Sequence, residues 1–254
     1  MSRLIRTDFH VHTNLSDCGH PQASLEAVLR GAQEAELEAV GVADHVFLPE
    51  HRARPRTARG QLPKQVGGLR VYVSCEAEMR SPTETTIDAA FAQELDYVVM
   101  SASHLYNVGV WLPQDLDLRG MAAYVLELTR GAIESGLADI VAHPMSVPAC
   151  PVTFEELVES LDLEAWKRTA EAAAKAGVAI ECNPRYLRQA PEAAKVLFTW
   201  VVDAGCKVSI DSDGHHPDLV GCRGPEYAPE EEIRALGIGE DCLWRPEDRI
   251  SGRR

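Results

Sequence analysis

The sequence of 254 residues predicts an α/β fold, a single domain over residues 1–254 that closes into a TIM-like barrel. Two observations predict this fold. Short apolar runs alternate with stretches of helical spacing about seven times along the whole chain. Polar residues that can carry chemistry follow almost every apolar run, where a parallel barrel places its active site. An open, doubly wound sheet is the alternative, but it would spread those residues along one edge.

The individual elements follow from this alternation. The predicted strands are residues 5–11, 39–43, 69–75, 97–101, 140–142, 178–182 and 207–210. The predicted helices are residues 24–36, 82–94, 121–135, 163–176 and 192–204. Gly136, Gly177 and Gly205 each follow a predicted helix and precede a strand, as a left-handed C-terminal cap does. Two long loops, at residues 46–68 and 105–119, interrupt the alternation.

Composition limits the possible partners and location. The formal net charge of −14 disfavours a general binder of nucleic acid or of anionic membranes, because the long-range field repels polyanions. No apolar run approaches the roughly 18 residues of a membrane span, and the N-terminus lacks a signal-peptide core. Seven cysteines, none spaced as CxxC, are typical of free thiols. We therefore expect a cytoplasmic protein; the sequence indicates no oligomeric state.

The first chemical motif is His10-Val11-His12, at the end of the first predicted strand. Because side chains alternate along a strand, both imidazoles project from the same face and can bind one metal ion. The second motif, Asp44-His45, stands where the second strand turns polar. Each motif alone is weak, since histidine pairs are common on surfaces and in cores.

The argument for a metal site depends on all the strand ends together. Candidate ligands beyond the first two strands are Glu76 (with Glu78 as a competitor), His104, His143, Asp213 and His215. Six of the nine histidines lie at strand ends, which core packing does not explain. Imidazoles and carboxylates together suit zinc, manganese or iron. Eight or more ligands exceed what one ion uses, so the sequence predicts two or three divalent metal ions with Glu76 as a bridging carboxylate.

These motifs resemble those of the PHP (polymerase and histidinol phosphatase) family. The matching residues are HxHT at 10–13, DH at 44–45, Glu76, SASH at 101–104, AHP at 142–144 and SDGH at 212–215. The resemblance covers essentially the whole chain and implies a distorted (β/α)7 barrel with a trinuclear metal centre. It implies one metal on His10, His12, Glu76 and Asp213, a second on Glu76, His104 and His143, and a third on His45 and His215. One further ligand is either Asp17 or His20.

The resemblance implies a metal-dependent phosphoesterase that hydrolyses a small-molecule phosphate monoester, with histidinol phosphate as the leading candidate. Glu76 and Asp213 are the candidate catalytic carboxylates, and Arg185 and Asn183 are the candidate substrate contacts. The alternatives are a phosphodiesterase or exonuclease acting on nucleotides, and a metal-binding module without activity. Deaminase and amidase barrels also begin with HxH, but they use a carboxylated lysine, for which this chain offers no strand-end candidate.

Two loops could serve the substrate. The loop at 46–68 carries four arginines and Lys64, and it is either an anion clamp or a solvated basic surface. Tyr106 and Trp111, in the loop at 105–119, form either a substrate lid or packing on the barrel rim.

Overall fold

The computed structural model describes residues 3–248. Its strands are β1 Thr7–Val11, β2 Ala39–Val42, β3 His45–Val46, β4 Gln65–Val66, β5 Leu69–Val73, β6 Glu76–Ser81, β7 Glu84–Thr85, β8 Val99–Ser101, β9 Ile140–Ala142, β10 Ala179–Cys182 and β11 Val208–Ile210. Its α-helices are α1 Leu25–Glu34, α2 Ala53–Gln61, α3 Ala89–Ala92, α4 Leu118–Glu134, α5 Phe154–Glu159, α6 Leu163–Ala176, α7 Pro184–Gln189, α8 Pro191–Asp203 and α9 Glu230–Ala235. Short 3₁₀ turns occupy Pro49–Arg52, Pro217–Leu219, Glu240–Cys242 and Pro246–Asp248. Within residues 3–248, no helix has the length and apolar character needed to cross a bilayer.

The strands form two sheets that together surround one interior. One sheet has the order β1-β2-β5-β4, and the other has the order β11-β10-β9-β8-β6-β3, with β7 paired to β6. The chain passes from the first sheet to the second between β2 and β3 and again between β5 and β6, so each pair is one interrupted barrel strand. All pairings except those of β4 and β7 are parallel. The seven strand positions therefore follow chain order around a TIM-like barrel, which confirms the predicted fold class.

The seam between β1 and β11 is closed mainly by side chains. The backbone contributes a single bridge between Val11 and Gly214. The Phe9 N–H donates to Asp211 Oδ1 over 2.6 Å. Asp8 accepts from the Ser212 N–H at 3.0 Å and from the Ser212 hydroxyl at 2.6 Å. These buried carboxylates satisfy backbone donors that a continuous ladder would otherwise pair, and they hold the segment that carries Asp213 against β1.

Aromatic side chains fill the amino-terminal half of the barrel interior. The ring of Phe9 meets those of Tyr97 and Trp244 edge to face, with centroids 5.5 and 5.3 Å away. The Tyr97 hydroxyl donates to the Phe9 carbonyl over 2.5 Å. A Cβ at Gly41 would lie 1.7 Å from that hydroxyl oxygen, so the position needs glycine. This end of the barrel is a packed core that leaves no passage.

The predicted helices are confirmed with one exception. Helix α6 has the predicted bounds and ends at Gly177, whose φ of 65° is left-handed. Helix α1 begins after Ser24, whose hydroxyl accepts from the Ala27 N–H. The predicted helix at 82–94 is wrong: β7 and the four-residue α3 occupy that range. A hairpin forms there because the Glu78 N–H donates to the Thr86 hydroxyl, and the threonines of this segment favour strand conformation.

Two further boundaries differ from the prediction. The predicted strand at 69–75 ends at Val73, and Glu76 begins a new strand in the other sheet rather than following the old one. The predicted loop at 46–68 contains α2 and β4. Its four arginines each pair with a carboxylate: Arg52 with Asp88, Arg54 with Asp17, Arg56 with Glu94 and Arg59 with Asp96. These ion pairs link α2 and the turn before it to the rest of the protein. They also pair each of the four arginine charges with a carboxylate of the protein itself.

Candidate metal centre

Four side chains from three parts of the sequence meet at the mouth of the barrel. His10 Nε2 lies 3.2 Å from His12 Nε2 and 3.2 Å from Glu76 Oε2. His12 Nε2 lies 3.4 Å from Glu76 Oε2 and 3.1 Å from Asp213 Oδ1. His10, His12 and Glu76 are fully buried. Two imidazole nitrogens and two carboxylate oxygens therefore face one point.

These separations fit a shared cation. Zinc binds imidazole nitrogen and carboxylate oxygen at about 2.0–2.2 Å, so neighbouring ligand atoms of a tetrahedral site lie about 3.3–3.5 Å apart. Without a cation, one of the two Nε2 atoms must carry a proton, because two lone pairs would otherwise oppose each other at 3.2 Å. Glu76 Oε2 is buried without a hydrogen-bond partner among the described residues, and burial of such an acceptor is costly. The residues present thus fit a divalent metal ion.

Glu76 is the centre of a wider cluster. Its Oε2 lies 2.8 Å from His45 Nδ1, and its Oε1 lies 3.1 Å from His143 Nε2 and 3.8 Å from His104 Nδ1. His45 Nδ1 and Glu76 Oε2 are both buried without a hydrogen-bond partner among the described residues, despite their short separation. Atoms in this relation are what a common metal ion would satisfy. Both oxygens of Glu76 face imidazoles, which is the arrangement that a bridging carboxylate requires.

Three groups within residues 3–248 place their ligand atoms within 4.8 Å of one another. They are His10, His12 and Glu76; His12, His45 and His215; and His45, Glu76, Glu78 and His104. The groups share His12, His45 and Glu76, so they form one continuous cluster. His143 and Asp213 border this cluster through Glu76 and His12 respectively. The resemblance implied a different set, which includes His143 and Asp213 and leaves out Glu78.

Backbone strain accompanies the cluster. His143 has a φ of 24° and Asp213 a φ of 50°, both in the left-handed region that non-glycine residues rarely adopt. Such conformations cost about 1–3 kcal/mol each and persist where the surroundings enforce them. At both positions the turn directs a side chain into the mouth within three residues of the end of a strand.

Two further carboxylates lie within hydrogen-bond distance of a histidine Nδ1 atom. Glu78 Oε1 lies 2.5 Å from His104 Nδ1. Glu181 Oε2 lies 3.0 Å from His10 Nδ1. The sequence analysis considered Glu78 only as a competitor of Glu76 and assigned Glu181 no role. For Glu181 the available signal was a charged residue in the otherwise apolar strand β10, which is costly without a partner.

The electrostatics of the cluster are those of buried, opposed charges. Burial disfavours the Glu76 carboxylate, but the charges of His45, His10 and His104 outweigh it and hold the pKa of Glu76 well below its usual range. Burial lowers the pKa of His45 to about 3. For His12, burial also lowers the pKa, but hydrogen bonds to Asp213 and Glu76 raise it to about 9. Glu76 is therefore an anion that can serve as a metal ligand near neutral pH.

The two alternatives for the additional ligand lie in different places. Asp17 lines the cavity beside the cluster, and its carboxylate, 84% exposed, bonds Arg54 at 2.8 Å. His20 is exposed and outside the three groups; its Nδ1 accepts from the Gln22 N–H, and its ring meets that of His216 at 4.6 Å. Asp17 is the nearer candidate in this arrangement, and the assignment of either ligand stays a prediction.

A cavity of about 440 Å³ opens onto the cluster. Its walls are His45, His104, His143, Asp213 and His215 on the metal side and Asp17, Cys18, Phe47, Tyr106, Asn107, Pro148, Ala149, Arg185 and Tyr186 elsewhere. Arg185 is the one arginine or lysine among these described residues. Its guanidinium lies 4.0 Å from Asp213 Oδ2 and bonds the Tyr227 hydroxyl at 3.0 Å. A single fixed cation beside the cluster suits an anionic group of a small ligand.

Asn183 occupies a different kind of position. It is buried, its Oδ1 accepts from the Arg185 N–H at 3.0 Å, and its Nδ2 donates to the Ser212 carbonyl. The amide therefore caps α7, the helix that carries Arg185, and its predicted contact with substrate stays a prediction. Tyr106 and Trp111 are 57% and 61% exposed, and Tyr106 lines the cavity. Their role, as a substrate lid or as packing on the barrel rim, stays a prediction.

Comparison with known proteins gives a consistent result. The model of the PHP domain family matches residues 8–185. A histidinol phosphate phosphatase from Lactococcus lactis, solved with zinc, L-histidinol and phosphate, is similar with a TM-score of 0.58 and 15% identity, over 92% of this chain and 93% of that one. A putative histidinol phosphatase from Listeria monocytogenes has a TM-score of 0.57 and 14% identity, over 82% and 95%. No curated protein matches significantly. At these identities the structural likeness establishes the fold.

Proposed function

Because the chain belongs to the PHP family, we propose that it is a metal-dependent phosphoesterase that hydrolyses a small-molecule phosphate monoester. The observation that carries this proposal is the convergence of His10, His12, Glu76 and Asp213, whose ligand atoms are mostly 3.1–3.4 Å apart. Histidinol phosphate is the leading substrate candidate, since the similar Lactococcus enzyme was solved with histidinol and phosphate.

The cluster would hold two or three ions, and zinc, manganese and iron all suit its ligands. His10, His12, Glu76 and Asp213 would hold the first ion, Glu76, His104 and His143 the second, and His45 and His215 the third, with Asp17 or His20 completing the set. When bound, such ions lower the pKa of a water molecule and neutralise charge on a phosphoryl group. The Lactococcus structure contains zinc, which supports zinc as the first metal to test.

The chain's own residues position the substrate. Arg185 binds a phosphoryl oxygen through its guanidinium, whose orientation is fixed by Tyr227. Asp213 faces both sides: Oδ1 lies 3.1 Å from His12 Nε2, and Oδ2 lies 4.0 Å from Arg185. The phosphoryl group is thereby placed between Arg185 and the cluster. Positioning and charge stabilisation supply most of the catalysis in phosphoryl transfer.

Cavity size and charge support a monoester. A volume of about 440 Å³ accommodates a small molecule. The net charge of −14 disfavours a polynucleotide, whose many phosphates would be repelled. The cavity lining also contains Phe47, Tyr106 and Tyr186, which give the alcohol part of the ester an aromatic surface.

The experiment compares substrates on metal-free protein reconstituted with zinc, manganese or iron. We expect turnover of p-nitrophenyl phosphate and of histidinol phosphate, no turnover of bis(p-nitrophenyl) phosphate, and two or three bound ions per chain by elemental analysis. Activity on the diester alone would make the chain a phosphodiesterase. Bound metal without turnover of any ester would make it a binding module. An Arg185→Ala variant should raise KM for the monoester while leaving metal content unchanged.

A further inference from the structure

Glu181, the third residue of β10, joins two parts of the cluster without facing its centre. It is 1% exposed. One oxygen, Oε2, lies 3.0 Å from His10 Nδ1 and also accepts from the His143 backbone N–H at 3.1 Å. The side chain therefore reaches His10 on β1 and His143 after β9 from the strand beside β9.

The contact with His10 determines which nitrogen of that imidazole is free. If Nδ1 donates its proton to Glu181, Nε2 keeps its lone pair, and Nε2 is the atom that lies 3.2 Å from Glu76 Oε2 and from His12 Nε2. Rotation of the ring would break this bond and bring a carbon atom to the cluster. Hydrogen bonds of this kind orient the histidines of metal sites and raise their basicity.

The contact with His143 holds an unfavourable backbone. The φ of 24° at His143 is sterically costly, and the Glu181 carboxylate compensates by binding the N–H of that residue. In this conformation His143 Nε2 reaches Glu76 Oε1 at 3.1 Å. His10 Nε2 thus approaches Glu76 Oε2, and His143 Nε2 approaches Glu76 Oε1. Glu181 Oε2 contacts both histidines and therefore positions both.

We propose that Glu181 is a positioning residue of the metal centre: its Oε2 fixes the His10 imidazole and the His143 backbone so that both present a nitrogen to Glu76. This inference rests on the proposed metal-dependent function. It concerns the affinity of the site for metal, which can be measured without substrate.

The test uses three variants at this position. Glu181→Gln can place its carbonyl oxygen where Oε2 lies and keep both hydrogen bonds. Glu181→Ala removes both, and Glu181→Asp keeps the charge but is one methylene too short to reach both donors. The matched control is Asp139→Asn, which alters a buried carboxylate at the opposite end of the neighbouring strand, where Oδ2 accepts from the Val98 N–H.

Zinc affinity of each metal-free protein is measured by competition with a chromophoric chelator, and the visible absorption of the cobalt-substituted protein reports ligand geometry. We expect Glu181→Ala and Glu181→Asp to bind zinc about 10–100-fold more weakly, with altered cobalt spectra. Glu181→Gln should lose about fivefold or less, since it loses only the charge of the acceptor. Asp139→Asn should keep the wild-type affinity and spectrum, whatever its effect on stability.

Two results would overturn the inference: Glu181→Asp binding zinc as tightly as Glu181→Gln, or Glu181→Ala binding as tightly as the wild type. If the alanine variant fails to fold by circular dichroism, the comparison of the Gln and Asp variants decides. A wild-type protein that binds no zinc, manganese or iron would instead refute the proposed function. Failure of the inference is therefore distinguishable from failure of the function on which it rests.

Discussion

The two ends of the barrel are built from the same strands but follow opposite rules. At the amino-terminal end, Phe9, Tyr97 and Trp244 pack edge to face and bury apolar surface. At the mouth, His10, His12 and Glu76 are equally buried but present lone pairs and charge to one another. Burial of the aromatic rings stabilises the fold by itself, whereas burial of the polar cluster is compensated only if cations bind.

A single strand shows how closely the two ends are connected. Phe9 packs in the aromatic interior, while His10 and His12 point into the mouth and Val11 faces α1. The register of β1 against β2 is irregular between Asp8 and Val11, which lets consecutive residues such as Phe9 and His10 serve the same interior. We therefore expect mutations at the aromatic end to change stability and mutations at the mouth to change metal binding.

The largest effect is expected at Glu76. A Glu76→Gln variant removes the anion that faces His10, His45 and His143 from both oxygens, so the metal centre should lose its bridge. We expect turnover of the monoester to fall by at least about 10³-fold, beyond the loss for a single transition-state donor, and metal content to fall below that of the wild type. The control is Glu94→Gln, which alters an exposed partner of Arg56. Full activity with full metal content in Glu76→Gln would remove Glu76 from the centre.

The opposite response is expected at the closed end. Trp244 is 1% exposed and contacts both Phe9 and Tyr97, so Trp244→Ala leaves a cavity in the interior. The free energy of unfolding should fall by about 3–5 kcal/mol in denaturant titrations. Below its melting temperature the variant should keep wild-type metal content. Trp111→Ala, at an exposed rim position, should change stability by no more than about 0.5 kcal/mol. Metal loss in folded Trp244→Ala would mean that the two ends are not separable.

The sequence predicted the fold class and the family better than it predicted the boundaries of the elements. The barrel and the PHP family are confirmed, because the alternation of apolar runs and the order of the motifs extend over most of the chain. The interruption of the strand before Glu76 could not be predicted, because residues 69–75 form one mostly apolar run in the sequence. The strand breaks there because β6 pairs in the second sheet, and this pairing is not visible in the sequence. The helix predicted at 82–94 was wrong because the chain turns back on β6 there, and Thr86 pairs with Glu78, eight residues earlier, in a local hairpin.

The assignment of single ligands stays a prediction for a similar reason. The spacing shows that His10 and His12 lie on the same face of the strand. It does not show that His10 Nδ1 contacts Glu181, which is 171 positions away in the sequence. Asp17 and His20 are only three residues apart, and their side chains nevertheless lie in different surroundings, one bonded to Arg54 and the other against His216.

The smallest effect concerns pH and separates the two ends without a change at the aromatic core. In the metal-free protein, hydrogen bonds to Asp213 and Glu76 outweigh burial and raise the pKa of His12 to about 9, against about 6.5 when unfolded. A raised pKa in the folded state stabilises the fold below about pH 6.5, and this contribution disappears as the pH rises through about 9. Denaturant titrations of metal-free protein should therefore lose up to about 3 kcal/mol of stability over this window.

Metal-loaded protein should show the reverse slope, since metal ligation requires neutral imidazole and becomes tighter as His12 loses its proton. Trp244→Ala should preserve both slopes at lower stability, because its defect lies at the other end of the barrel. His12→Gln should reduce the slope of the metal-free protein without abolishing it, because the pKa values of His10 and His104 are also raised, and it should weaken the response to metal. The wild-type protein could instead show the same dependence of stability on pH with and without metal. In that case the charges at the mouth do not govern its stability, and the two ends of the barrel differ only in how their side chains pack.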